Sequence, residues 1–234
     1  MLTRCPYPDC GRTFEVTDDA SWRAGRCAVC ERPASLRPLD VLLKIEQFRG
    51  RLESRHSPRS VGPAGPSHRL TALLEDVRSL WNVGSIFRTA DGAGFSLLYL
   101  CGITGCPPRK EILKTSLGAE QNVAWDYYTS ALHILPHLKE QGVQVVGLEL
   151  TPASIPLATA VEGKLLRKSL CLVVGNEVTG ISAEVLPMCD LVCHLPMRGV
   201  KESLNVAVAF GIASYLVAEA SLESGGVSKA GESC

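Results

Sequence analysis

The chain has 234 residues, 46% hydrophobic and 21% charged; that balance excludes wholesale disorder and a fibrous repeat, and the length allows one or two domains. Its 24 basic and 24 acidic residues cancel, which at first argues against a nucleic-acid partner. The best candidate for a membrane span, residues 204–220, is interrupted by Asn205, Ser214 and Glu219, and the opening residues lack a basic-then-apolar leader, so no membrane role is expected and the compartment is read as the cytoplasm.

The cancelled charge is unevenly spread, because residues 1–69 hold 12 basic against 8 acidic side chains. In the same stretch four of the ten cysteines fall in two pairs, Cys5 with Cys10 and Cys27 with Cys30, separated by a length that suits a small hairpin. Four thiolates converging from two short turns suit tetrahedral zinc, whose binding supplies roughly 10–16 kcal/mol to a segment with almost no core. Residues 1–38 therefore read as a zinc-ribbon-like module, although the first pair is spaced by four residues rather than the commoner two; four unrelated thiols are the plain alternative. A redox dithiol at Cys27 and Cys30 lacks the surrounding strand and helix pattern. Next, Val41, Leu42, Ile45, Phe48 and Leu52 recur at helical spacing with Lys and Arg opposite, which predicts an amphipathic helix within 39–54. Residues 55–68, with Pro58, Gly62, Pro63, Gly65 and Pro66, describe a linker.

From residue 69 apolar runs alternate with helix-like stretches. The runs 70–74, 97–100, 143–150, 170–174 and 191–195 predict buried strands of a mostly parallel α/β sheet over 69–220. A Ser/Gly-rich tail, 221–234, predicts disorder. Neither G-x-G-x-x-G after a strand nor G-x-x-x-x-G-K-[ST] is present, which disfavours dinucleotide and phosphate-cradling enzymes. The glycines of Asp91-Gly92-Ala93-Gly94 fit a helix C-terminus better.

Three clusters instead put polar residues where strands give way to turns or helices, the usual ligand-binding places of open α/β sheets. The first runs from Asn82 to Asp91; Asn82 is placed to cap a helix, and Arg88, between apolar neighbours, needs a partner. The second, Gly175-Asn176-Glu177-Val178-Thr179-Gly180-Ile181-Ser182, is a glycine-bounded turn with Ser182 placed to cap a short helix. The third runs from His194 to Ala207, a strand end and polar loop followed by a helix starting at Ser203. Taken singly, Arg88 fits an ordinary salt bridge, Asn82, Ser203 and Asn205 fit caps, and Glu177 fits a turn anchor. Arg109, Lys110 and Lys114 suit either RNA phosphates or a solvated helix, and His133 and His137 read as surface histidines.

Together the clusters, N-x-G-x-x-x-R, then G-N-E-x-x-G-I, then L-P-M-x-G-x-x-x-S-L-N, resemble the three motifs of the SpoU-type RNA 2′-O-ribose methyltransferases of the SPOUT superfamily. The resemblance implies a SPOUT α/β knot, in which the last strands and helix are threaded as a trefoil, and a homodimer packed on the last helix with both subunits at the site. It implies S-adenosylmethionine held by Leu150, Thr151, Gly175, Asn176, Leu195, Met197, Ser203 and Leu204. It also makes Arg88 the principal catalytic residue, with Asn82, Glu177, Ser203 and Asn205 around it, and tRNA or rRNA the substrate. A guanidinium is effectively always protonated, so Arg88 is read as a clamp on RNA phosphate and ribose, with the proton acceptor unassigned. A base-methylating SPOUT enzyme and a noncatalytic RNA-binding or assembly protein are the alternatives.

Overall fold

The computed structural model describes residues 2–16, 25–34, 39, 42, 43 and 70–223. The expected linker and all of the expected amphipathic helix except Leu39, Leu42 and Leu43, all three helical, lie outside the described residues.

The N-terminal part is two small antiparallel ribbons. Strand β1 (Leu2–Arg4) pairs with β2 (Thr13–Glu15), and β3 (Gly25–Arg26) with β4 (Pro33–Ala34). Each ribbon closes over a cysteine-bearing turn. In the first, Cys10 and Gly11 donate their N–H groups to the Tyr7 carbonyl; in the second, Glu31 donates to the Cys27 carbonyl.

The rest is built on seven strands: β5 (Leu70–Glu75), β6 (Leu97–Cys101), β7 (Ala124–Tyr128), β8 (Gln144–Leu148), β9 (Ile155–Pro156), β10 (Leu170–Val174) and β11 (Leu191–His194). They lie in the order β7-β6-β5-β10-β8-β11-β9, and every pairing is parallel. The five expected strands are present within one or two residues of their predicted ends. Two strands the periodicity did not predict flank them: β7, half-buried throughout, and the two-residue β9.

An all-parallel sheet needs cover on both faces, and the alternation of strand side chains supplies an apolar surface to each. On one face Ala72, Leu74, Leu98, Leu100, Leu172 and Val174 meet three helices, α1 (Leu80–Gly92), α5 (Leu157–Glu162) and α6 (Val206–Glu223). There the Phe95 and Phe210 rings meet edge to face at 5.5 Å. On the other face Leu73, Val145, Cys171 and Val173 pack against α4 (Leu135–Glu140) and the segment around Ile181 and Val185. Two shorter helices, α2 (Lys110–Ser116) and α3 (Ala119–Asn122), sit beside α1.

Three local expectations are corrected. Helix α1 is capped by Ser79, whose Oγ accepts from the Asn82 N–H, so Asn82 is the third helical residue and not the cap. Ser182 caps no helix; its N–H and Oγ–H both donate to the buried Glu75 carboxylate, at 2.9 and 2.6 Å. The last helix begins at Val206 and not at Ser203: Asn205 Oδ1 accepts from the N–H groups of Ala207 and Val208. That helix continues to Glu223, three residues past the expected boundary at 220, and 224–234 lie outside the described residues. The expected helix C-terminus at 91–94 has its Gly94 at φ +77°, with Phe95 N–H donating to the Ala90 carbonyl.

Candidate active site

At the C-terminal ends of β8, β10 and β11 the chain leaves a cleft lined by Leu148 to Leu150, Val174 to Val178, Gly180, His194, Leu195, Met197, Glu202 to Leu204, Val206 and Ala209. Its apolar residues come from strand ends, the connecting turns and the first turn of α6, and its three carboxylates from the connecting turns.

The turn after β10 is closed by its own backbone. Asn176 N–H donates to the Gly180 carbonyl at 3.0 Å and Gly180 N–H returns to Asn176 at 2.9 Å, while Asn176 Oδ1 accepts from Val178 and Thr179. A Cβ at Gly175 would stand 2.2 Å from the Gly180 carbonyl carbon, so glycine there is required by the turn itself before any ligand is considered. Glu149 fastens the turn to β8, its Oε2 accepting from Ile181 N–H at 2.9 Å.

Beside the cleft, residues from all three sequence clusters join in one hydrogen-bonded chain. Glu177 Oε1 accepts from Ser79 N–H (3.0 Å) and from Asn82 Nδ2 (2.9 Å), and Oε2 accepts from Arg78 N–H (2.9 Å). Asn82 Oδ1 in turn accepts from Asn205 Nδ2 at 3.1 Å. Burial pushes the Glu177 carboxyl up, but these donors at the N-terminus of α1 more than offset it and hold the group below the usual carboxylate range. Glu177 thus borders the cleft with one side and anchors the start of α1 with the other.

Seven of the eight residues that the resemblance assigns to the cofactor line this cleft; Thr151 does not. Its N–H and carbonyl are both taken up by Ser154 in the adjoining turn. Ser203 is in the lining and Asn205 is one link away. Arg88 departs from expectation: it is exposed on α1, its side chain makes no ion pair or hydrogen bond among the described residues, and it does not line the cleft. Arg109, Lys110 and Lys114 are exposed at the start of, and along, α2. His133 and His137 are exposed in separate elements, with Thr129 and Gln141 as neighbours.

Sequence reasoning did not single out Glu149, His194 or Glu202 as lining residues, although the last two lie within the third cluster. It also passed over Trp81, 48% exposed next to Asn82, with the Lys114 ammonium 5.7 Å from its ring centre. Gly84, the glycine of the first motif, lets α2 approach: a Cβ there would lie 2.4 Å from the Ile112 carbonyl oxygen.

The four N-terminal thiols converge. All Sγ atoms lie within 4.8 Å of one another, with Cys5 to Cys30 at 3.7 Å and Cys10 to Cys27 at 3.9 Å. Tetrahedral zinc with Zn–S bonds near 2.3 Å spaces its sulfurs at roughly 3.8 Å, so the donor set fits that ion. Arg32 braces it, with Nε on Cys30 Sγ at 3.4 Å, Nη2 on Asp9 at 2.8 Å and the guanidinium 4.0 Å above the Tyr7 ring. The Arg32 contact holds the Cys30 thiol down at about 6, whereas burial pushes Cys5 up.

Comparison with known proteins gives three results. A family model described as the SpoU rRNA Methylase family matches residues 69–215. A tRNA (guanosine(18)-2′-O)-methyltransferase of Borreliella burgdorferi is 32% identical over 148 residues, 62% of this chain and 64% of that protein. The 23S rRNA (guanosine-2′-O-)-methyltransferase RlmB of Vibrio vulnificus is 31% identical, with 62% and 57% covered. The matched part therefore spans less than two thirds of either relative. Among solved structures, an AdoMet-bound rRNA methyltransferase from Sinorhizobium meliloti superposes with a TM-score of 0.62 at 29% identity, covering 70% of this chain and 61% of that one. The A. aeolicus TrmH/SpoU tRNA modifying enzyme gives 0.60 at 27% identity, with 78% and 86% covered.

Proposed function

Since the chain belongs to the SpoU rRNA methylase family, we propose that it transfers a methyl group from S-adenosylmethionine to a ribose 2′-hydroxyl of structured RNA, tRNA or rRNA. The observation that carries this reading is the cleft at the strand ends with the Glu177–Asn82–Asn205 chain alongside it. Two further features favour that cofactor. The cleft pairs an apolar floor with polar turns, and the backbone N–H groups of 197–204 donate to nothing among the described residues, which leaves them free for a ligand's polar edges.

Leu150, Gly175, Asn176, Leu195, Met197, Ser203 and Leu204 would hold S-adenosylmethionine. When bound, it supplies an electrophilic methyl group on a sulfonium. Asn82, Glu177, Ser203 and Asn205 then fix the position of the acceptor ribose, because their mutual bonds leave few alternative geometries. Glu177, ionised and already accepting three donors, serves as anchor and not as base. Arg88 grips phosphate and ribose. Lying outside its own chain's cleft, it does so at the site of a second copy, and α6 offers the surface for that pairing. Val208, Ile212, Tyr215 and Leu216 form an exposed apolar stripe on it. Arg109, Lys110 and Lys114 extend the RNA contact. The reading includes a C-terminal trefoil threading, a zinc ion on Cys5, Cys10, Cys27 and Cys30, an RNA-recognition role for residues 1–69, and a cytoplasmic location.

Incubating the protein with bulk RNA and S-adenosylmethionine, followed by nucleoside mass spectrometry, tests the reading. The expected product is a 2′-O-methyl nucleoside. A methylated base, or no product from protein that binds RNA, overturns it.

A further inference from the structure

We propose that Glu149 and Glu202 make the cleft discriminate by charge, favouring the cationic methyl donor over the neutral thioether left after transfer. The inference rests on the methyl-transfer reading and adds to it two residues that no motif marks.

Three carboxylates, Glu149, Glu177 and Glu202, line the cleft, and no lysine or arginine does. Arg198 and Lys201 belong to the same connecting loop but are exposed outside the lining. Glu177 is largely committed, since a side-chain amide and two backbone donors from the start of α1 face its charge. Glu149 differs. Its two oxygens accept only the N–H groups of Leu150 (3.2 Å) and Ile181 (2.9 Å), which orient the carboxylate without a cation to neutralise it. Glu202 has no partner among the described residues. Both stand at turns that flank the apolar floor, so their field falls across a cavity with low-dielectric walls, where charges act at longer range than in bulk water.

At neutral pH S-adenosylmethionine carries a sulfonium, an ammonium and a carboxylate. On transfer the sulfur keeps the electron pair of the broken S–CH3 bond, the ribose oxygen gains the methyl and releases its proton to water, and S-adenosylhomocysteine has no net charge. The attraction is therefore present before the reaction and gone after it. Two molecules that differ by one methyl group are separated by charge, a larger handle than the size of that group. A carboxylate lining a cleft that takes up a cation, partly screened by solvent, would be worth roughly fivefold in affinity.

Calorimetric titration of the full chain with S-adenosylmethionine and, separately, S-adenosylhomocysteine tests this. The unmodified protein is expected to bind the cationic ligand more tightly, with the preference shrinking as salt rises. Glu149→Gln and Glu202→Gln should each lower it roughly fivefold by weakening S-adenosylmethionine alone. Glu202→Gln touches no internal hydrogen bond, so with the salt series it carries the test if Glu149→Gln does not fold. A preference that is absent, or unchanged by both variants and by salt, overturns the charge mechanism while leaving methyl transfer standing. Binding of neither ligand by the unmodified protein overturns both.

Discussion

The two folded regions of this chain hold polar loops in place by opposite means. In the N-terminal ribbons only Thr3, Cys5, Cys27 and Ala34 are buried among residues 2–34 that are described, and the two turns meet through four thiols and the Arg32 brace. In residues 70–223 the turns stand on a seven-stranded sheet with an apolar cluster on each face, and side-chain amides and carboxylates tie them together. The difference teaches where each region is vulnerable. A small ribbon concentrates its stability in one ligand set, whereas the larger domain spreads it over a core and loses only a local link when a polar residue is removed.

The sharpest way to break this contrast is to test the proposed zinc ion. Chelation, or Cys27→Ser, should abolish protection in the ribbons, since roughly 10 kcal/mol of coordination energy is at stake, while leaving 70–223 folded. Hydrogen exchange resolved by region, with elemental analysis for zinc, checks it; uniform protection without metal would erase the distinction. Next in size, Gly175→Ala drives a methyl group into the Gly180 backbone and should cost roughly 1–3 kcal/mol in urea unfolding, with loss of ligand binding. Asn205→Ala removes the α6 cap and one link of the polar chain. About 1 kcal/mol is expected, measured the same way.

Acid supplies a finer probe. Because the folded Glu177 carboxyl lies below its ordinary value, the stability it contributes is present above that ordinary value and is lost as pH falls through the folded one. Glu177→Gln should therefore flatten the acid limb of the stability profile, seen by thermal melts across pH. Smallest in stability is Arg88→Ala, within about 0.5 kcal/mol because the side chain is exposed and has no ion pair or hydrogen bond among the described residues. Methyl transfer should nevertheless fall on the order of 100-fold if Arg88 positions the RNA. A variant that melts early would mean the arginine has an internal partner after all.

How much of this was legible in the sequence follows from the range of the forces involved. Strands such as β10, buried on both faces, announce themselves as continuous apolar runs. Edge strand β7, with Trp125, Asp126, Tyr127 and Tyr128, has no such run and was not predicted. Caps were misplaced by a few residues because Ser79 and Asn82 are equally suited to the task by composition, and only the helix start decides between them. The three motifs located most of the cleft, yet the bonds that unite them cross 95 and 123 residues, and no local pattern encodes such pairings. For the same reason Glu149 carried no signal, Glu202 stood inside the third cluster without being singled out, and Arg88, which its apolar neighbours mark as needing a partner, has no side-chain partner among the described residues.

The link from Asn205 to Asn82 bears on how the protein is made. Translation delivers Asn82 and Glu177 well before Asn205, so a polypeptide still attached to the ribosome has the early half of the site without the part that closes it. The Glu177–Asn82–Asn205 chain is complete only once the start of the final helix has been made.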